Sequence, residues 1–155
     1  QERMEELDKL IIFAHHRDCI TRLAVAFAEF RPVVIDGGTK DPQLSQSTFQ
    51  NDPNCRMIIG SDSMMEGFTL TAASTVAFFE GDWVPGKLAQ KEDRAHRFGQ
   101  KDHVLCLYYV LKNSLDARMI MRALSKQAII DKALDGTHSG LTTKRLLTNA
   151  NNVPV

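Results

Sequence analysis

The sequence predicts an α/β protein built on a mostly parallel sheet. Short apolar runs, as in Leu10-Ile11-Ile12-Phe13-Ala14, alternate with stretches whose apolar residues recur at helical spacing. The runs are continuous rather than alternating, the pattern of strands covered on both faces. The connections are short, so strand and helix follow one another as in βαβ units. Right-handed crossovers then place helices on both faces.

Each element has a local reason. Leu10 to Ala14 is the first strand. Residues 16–29 read as a helix, with Ile20, Leu23, Ala24 and Phe27 on one face. Pro32 opens the second strand, Val33-Val34-Ile35, which stops at Asp36-Gly37-Gly38. Residues 41–50 read as a helix that tolerates Pro42 in its first turn. Asn51-Asp52-Pro53-Asn54 is a turn, Cys55 to Ile59 the third strand, and Thr75 to Phe79 the fourth. A helix is expected from Pro85 to Phe98, closed by Gly99 just past its end. His103 to Val110 is the fifth strand, and residues 115–134 form the last helix. Residues 136–155 are rich in Thr, Asn and Gly with little periodicity and read as a flexible tail. Residues 1–9 read as an extension from an upstream region, which leaves 10–135 as one domain. The chain opens on Gln1 and reads as a piece of something longer.

Composition agrees with one domain. The chain has 155 residues, 43% hydrophobic and 25% charged, an ordinary globular balance that excludes disordered, collagenous and disulfide-rich classes. No apolar run approaches membrane-spanning length, and the polar opening QERMEELDK is no secretory signal. Cys19, Cys55 and Cys106 sit far apart in apolar stretches and read as small buried hydrophobes in a reducing, intracellular compartment. The net charge of zero hides a gradient: residues 1–83 carry seven Lys/Arg against 13 Asp/Glu, and residues 84–126 carry nine against four. The basic middle is either a solvated face or the seat of an anionic ligand.

In open parallel sheets ligands meet the carboxyl ends of the strands. Chemistry is therefore expected at His15-His16, at Asp36-Gly37-Gly38-Thr39, from Gly60 to Leu70, and from Glu80 to Pro85. The helix after Pro85 carries a buried stripe of Leu88, Ala95 and Phe98. Beside it runs a second stripe of Lys87, Gln90, Arg94 and Arg97. Two arginines almost one turn apart repel unless an anion lies between them. Either Glu92 and Asp93 neutralise them as surface pairs, or phosphate does. His15-His16 has three readings: metal ligation, contact with backbone or phosphate at a strand end, or helix-start chemistry. Adjacent residues point in different directions and no third ligand is evident, which weighs against metal. Trp83 reads as packing or as a contact to a DNA strand. Met57, Met64 and Met65 read as packing.

The string Gln90-Lys-Glu-Asp-Arg-Ala-His-Arg-Phe-Gly-Gln100 resembles motif VI of the Snf2 branch of superfamily 2 helicases, Q-x-x-D-R-x-x-R-x-G-Q. Its neighbours resemble the same family in order. Leu10 to His16 resembles motif IV, and Asp36-Gly37-Gly38-Thr39 the D-G-x-T element. Gly67-Phe-Thr-Leu-Thr-Ala-Ala-Ser74 resembles motif V. Asp82-Trp83-Val84-Pro85-Gly86 resembles the W-N-P element, and Ser114-Leu115-Asp116 with Lys126 the T-x-D-E-x-I segment. Met65 stands where the family has a second glycine, Val84 replaces Asn, and Thr69 replaces a common Asn. The likeness covers residues 8–134 and looks closest to annealing-helicase-like members or to bacterial and phage homologues.

The resemblance implies a RecA-like three-layer α/β/α fold and a second motor lobe. Neither G-x-x-x-x-G-K-[ST] nor D-E-x-H occurs in the chain; the family keeps both on its first lobe, which would hold ATP and Mg²⁺. Arg94 and Arg97 are then arginine fingers, with Gln90 and Gly67 also at the nucleotide. His15, His16, Gly38, Thr39, Ser61, Thr69 and Trp83 are the expected DNA contacts. Partners are duplex DNA without sequence preference and the N-terminal lobe of the same protein. The isolated lobe is expected to be inactive. Its compartment would be the nucleus in a eukaryote and the cytoplasm or nucleoid in a bacterium or phage. Two alternatives remain: the lobe of another superfamily 2 RNA or DNA helicase, and a degenerate interaction module that binds no nucleotide.

Overall fold

The structure, a computed structural model, describes residues 9–61, 67–80, 85–95, 99–111, 113–134 and 143–149. Strand β1 (Leu10–Phe13) leads into helix α1 (Arg17–Ala26) and a 3₁₀ turn at Ala28–Phe30. Then come β2 (Val33–Ile35), α2 (Pro42–Asn51), β3 (Met57–Gly60) and β4 (Thr75–Phe78). The chain continues through α3 (Pro85–Glu92), β5 (Val104–Val110), α4 (Leu115–Leu134) and β6 (Thr143–Asn149). The sheet order is β2-β3-β1-β4-β5-β6, and every neighbouring pair is parallel.

Because β1 is central, its side chains must be apolar on both faces, and all four residues are buried. Ile11 and Phe13 join one core cluster with Ile35, Ile58, Val76, Phe78 and Tyr108. Phe49 of α2, with Ile120 and Ala123 of α4, covers that face. Leu10 and Ile12 point the other way, toward Ile20 and Leu23 of α1. Helices thus flank the sheet on both faces, giving three layers. On the first face Phe13 stacks on Phe78 and Phe78 on Tyr108, with centroids 5.4 and 4.6 Å apart. Cys55 and Cys106 are buried as expected, and Cys19 is half-buried.

Two expectations need correction. Residues 143–149, read as tail, form β6 and pair with β5 over its whole length, Val104 opposite Thr143 through Val110 opposite Asn149. An edge strand needs only a neighbour's backbone, so its mixed sequence TKRLLTN carries little periodic signal. The domain therefore extends beyond residue 135. Helix α3 also ends at Glu92, short of Phe98. Asp93 N–H still reaches the Ala89 carbonyl at 2.9 Å. Arg94 and Ala95 instead bond three residues back, to Lys91 and Glu92 at 3.2 and 3.1 Å. The Arg94 carbonyl is taken by the Leu70 N–H at 2.9 Å. Gly99 has φ +103°, the left-handed backbone expected past a helical segment. Of the expected buried stripe, Ala95 is fully buried; Phe98 lies outside the described residues.

The stacked ring of Phe78 joins β1 to β5 across the face that carries α3. Phe78→Ala is expected to destabilise the domain by about 3–5 kcal/mol, read as a lower urea midpoint. A loss below about 1 kcal/mol would mean that neighbouring rings collapse into the space.

Candidate functional site

Parallel pairing levels four strand ends. Ile35 lies opposite Gly60, Gly60 opposite Phe13, and Phe13 opposite Phe78. Residues 15–16, 36–39, Ser61 and Glu80 follow these ends and so share one rim. The chain leaves β1 toward β2 and β4 toward β5, in opposite directions. The crevice that binds ligands in such sheets therefore lies between β1 and β4.

Glu80 occupies that crevice. One of its oxygens accepts from the backbone N–H of His15 and, at 2.7 Å, of His16. The other lies 2.6 Å from His16 Nδ1. His16 is the N-cap of α1, so a carboxylate sits where the helix dipole favours negative charge. Burial pushes the Glu80 carboxyl up. The His16 N–H and ring and the His15 N–H outweigh it, holding the group below its ordinary value. Behind the effect of burial, the same charge helps push the Cys19 thiol up to about 11. The His16 side chain stays 73% exposed. Both predicted histidines therefore stand on the rim with exposed rings and occupied backbone donors.

The loop at 36–39 is likewise satisfied from within. Asp36 Oδ1 accepts from Gly38 N–H at 2.9 Å and from the Thr39 hydroxyl at 3.2 Å. Thr39 Oγ1 also accepts from Asp36 N–H at 2.9 Å. The Gly38 N–H, the Thr39 hydroxyl and the Arg17 guanidinium, 3.4 Å from Oδ2, hold the Asp36 carboxyl below the usual carboxylate range. The Gly38 N–H and Thr39 hydroxyl, expected at DNA, are committed to the loop's own shape. Arg17, exposed beside them, is a cation the sequence reading missed.

The 67–74 segment meets the arginine-bearing turn. Gly67 has φ +83°, and open space surrounds the position of a Cβ there. Glycine is required for backbone conformation rather than for close approach. Leu70 is fully buried and holds the Arg94 carbonyl. Gln46 Nε2 donates to the Thr69 carbonyl at 3.0 Å, and Gln50 Oε1 accepts from Ala72 N–H at 2.9 Å. Gln100 Nε2 reaches the Ala73 and Ala95 carbonyls at 2.9 and 3.2 Å. Ser61 and Thr69 are half-buried, Gln90 is exposed and Arg94 half-buried. Arg97 and Trp83 lie outside the described residues. On α4, Ser114 Oγ caps the helix through Ala117 N–H at 3.0 Å, and Lys126 is exposed.

Glu92 is not the surface partner the sequence allowed. It is 3% exposed and accepts from the Tyr108 hydroxyl at 2.7 Å. Lys91 is also buried, its Nζ 5.9 and 6.0 Å from the ring centroids of Phe13 and Phe78. Sequence reasoning missed this inward edge because charged residues are rarely buried. The glutamines of α2 left a weak signal, their spacing of four residues on one helix face. Among the described residues no cluster of His, Cys, Asp or Glu could hold a metal, and no helix is long and apolar enough to cross a membrane.

A family model, the helicase conserved C-terminal domain, matches residues 2–99, and the chain belongs to that family. Within it, the chain is a C-terminal lobe of the Snf2 type with a RecA-like α/β fold. A Drosophila melanogaster relative, SWI/SNF-related matrix-associated actin-dependent regulator of chromatin subfamily A-like protein 1, is 36% identical over 134 residues, covering 83% of this chain and 18% of that protein. The human DNA annealing helicase and endonuclease ZRANB3 is 35% identical over 133 residues, 83% of this chain and 12% of that protein. The crystal structure of the C-terminal part of the Fun30 ATPase domain superposes with TM-score 0.68 at 26% identity, covering 75% of this chain and 39% of that one. The expected likeness to annealing helicases is met by ZRANB3. The chain spans less than a fifth of the length of these two curated relatives.

A depressed Glu80 pKa means that its stabilising effect is complete above the ordinary glutamate value. It is lost as pH falls below that value through the lower native one. Glu80→Gln should therefore destabilise the domain at about pH 7 and much less at about pH 3, by urea unfolding at both. Equal losses at the two would show that the carboxylate charge plays no part.

Proposed function

We propose that this chain is the second motor lobe of an ATP-dependent Snf2-type DNA translocase. Arg94 and Arg97 act as arginine fingers toward ATP held on a first lobe, and loops at the strand ends grip the DNA phosphate backbone. The observation that supports this most is the 2.9 Å bond from Leu70 N–H to the Arg94 carbonyl. It ties the motif VI arginine to the motif V segment, so movement of one is felt by the other.

The residues present fit half of a nucleotide site. Guanidinium groups are donor-only and match phosphate oxygens, and Arg94 stands half-buried one turn beyond the exposed Gln90. ATP, when bound, supplies the phosphoryl group for transfer to water, and Mg²⁺ belongs with the first lobe. Arg94 and Arg97 place fixed positive charge where negative charge grows. Gln90 orients the helix or the nucleotide, and Gly67 gives the motif V loop its bend.

DNA contact falls to the rim: the exposed rings of His15 and His16, the loop of Gly38 and Thr39 beside Arg17, Ser61, Thr69 and Trp83. Contacts of this kind are to phosphate and carry no sequence information, so the grip weakens with salt. Closing and opening of the two lobes moves the enzyme along duplex. The animal relatives support a nuclear setting.

In the intact enzyme, Arg97→Ala should lower kcat by about 10³ or more while ATP and DNA still bind, because a finger acts on charge present only in the transition state. Arg97→Lys should not restore it, since an ammonium lacks the planar fork. A kcat within about threefold of wild type would exclude the finger role. Residues 1–155 alone should show no ATP turnover above background. DNA-stimulated hydrolysis by this chain alone would overturn the half-site reading, and a protein lacking any phosphate-loop lobe would favour an interaction module.

A further inference from the structure

We propose that Gln46 and Gln50, on α2, are positioning residues for the Arg94 turn. The inference rests on the motor-lobe reading and adds residues outside the family motifs. Gln46 and Gln50 stand four residues apart and so face one way along α2. They meet the 69–72 segment at Thr69, Thr71 and Ala72. Gln46 Nε2 holds the Thr69 carbonyl at 3.0 Å. Gln50 Oε1 takes the Ala72 N–H at 2.9 Å, and its Nε2 donates to Thr71 Oγ1 at 3.3 Å. Between the two grips lies Leu70, whose N–H holds the Arg94 carbonyl at 2.9 Å.

The segment is irregular, so no helix or strand ladder fixes it. Its backbone groups need partners, and side-chain amides provide them, with both donor and acceptor on one planar group. From the other side Gln100 Nε2 holds the Ala73 and Ala95 carbonyls at 2.9 and 3.2 Å. Its Oε1 accepts from Lys101 and Asp102 N–H at 2.8 and 3.0 Å. Arg94 thus sits on a backbone pinned from two directions. The α2 grip is the part that no local sequence neighbour could replace. Its own base is firm: Asp41 caps α2 through Leu44 N–H at 2.9 Å, and Phe49 is fully buried.

The two glutamines make opposite demands, which supplies the test. Glu at position 50 keeps an acceptor for Ala72 N–H and can accept from the Thr71 hydroxyl. Glu at position 46 sets a carboxylate against a carbonyl oxygen. In the intact enzyme, Gln50→Leu should lower kcat between about tenfold and a hundredfold, the range for a small misplacement of a catalytic group. KM for ATP should stay within about twofold, with the protein fully folded at the assay temperature by circular dichroism. Gln50→Glu should restore most of the loss, whereas Gln46→Glu should be as impaired as Gln46→Leu. If Gln50→Leu does not fold, the Gln46 pair decides alone, since Gln46 acts on a residue, Thr69, that is only half-buried. An unchanged kcat in folded Gln50→Leu and Gln46→Leu overturns the proposal. So does a parallel fall of kcat, ATP affinity and melting temperature, which marks a merely structural role. Arg94→Ala is measured alongside. If it leaves kcat intact the motor-lobe reading fails; if it abolishes turnover while the glutamine variants leave kcat unchanged, only the positioning role fails.

Discussion

Everything in this domain hangs from the burial of one four-residue strand. β1 has parallel partners on both sides and helices over both faces, so all four residues of Leu10–Phe13 are buried. Its backbone groups must be paired, since an unpaired buried amide costs about 1–3 kcal/mol. That demand sets its register with β3 and β4 and so levels their carboxyl ends. Phe13 then starts the stack that runs through Phe78 to Tyr108. The outer ring of that stack presents a hydroxyl to Glu92, and the first two lie under Lys91. The position of α3 relative to the sheet follows from a row of rings that begins on the central strand.

The buried strands were the most legible part of the sequence. Leu-Ile-Ile-Phe, Val-Val-Ile and Met-Ile-Ile announce themselves because burial on both faces leaves no polar alternation to disguise them. The boundaries of α3 were not legible. Its sequence continues in helical periodicity to Phe98, yet past Glu92 the carbonyl of Arg94 is taken by Leu70, remote in the chain. β6 was missed for a related reason: its pairing is with backbone, and backbone leaves no mark on side-chain pattern. The motif VI string located Gln90 and Arg94, but nothing local marked Glu92 as inward-facing. Its neighbours Lys91 and Asp93 are charged too, and only the Tyr108 hydroxyl waiting inside the sheet explains it.

The rim polar groups share a property that bears on their role. Those expected to contact phosphate are largely engaged with one another: His15 and His16 N–H with Glu80, Gly38 N–H and the Thr39 hydroxyl with Asp36. Depressed carboxyl pKa values at Glu80 and Asp36 are the electrostatic trace of this arrangement. A loop fixed by its own hydrogen bonds loses little entropy when it meets a ligand, which favours binding through preorganisation. The most exposed side chains of the rim, the His16 ring and the Arg17 guanidinium, are themselves paired with Glu80 and Asp36. On the proposed reading, contacts from this rim go to phosphate and carry no sequence information.

The same logic governs the arginine segment. The proposed finger role requires a charge that is already in place before the reaction begins. Helical propensity does not provide that for Arg94, which stands in the turn past the end of α3, where helices fray. Fixity comes instead from two long-range bonds on either side of it. The Tyr108 hydroxyl holds Glu92 before the arginine, and the Leu70 N–H holds the carbonyl of Arg94 itself. Both anchors are buried, at Tyr108 and Leu70, so water does not compete for them and their geometry is sharper than a surface ion pair could make it. The Leu70 anchor lies in a backbone segment that side-chain amides hold on both flanks. The backbone that carries Arg94 therefore depends on the sheet through β5 and on α2 through 69–72. Two remote elements of the fold thus hold the main chain from which one charged side chain extends.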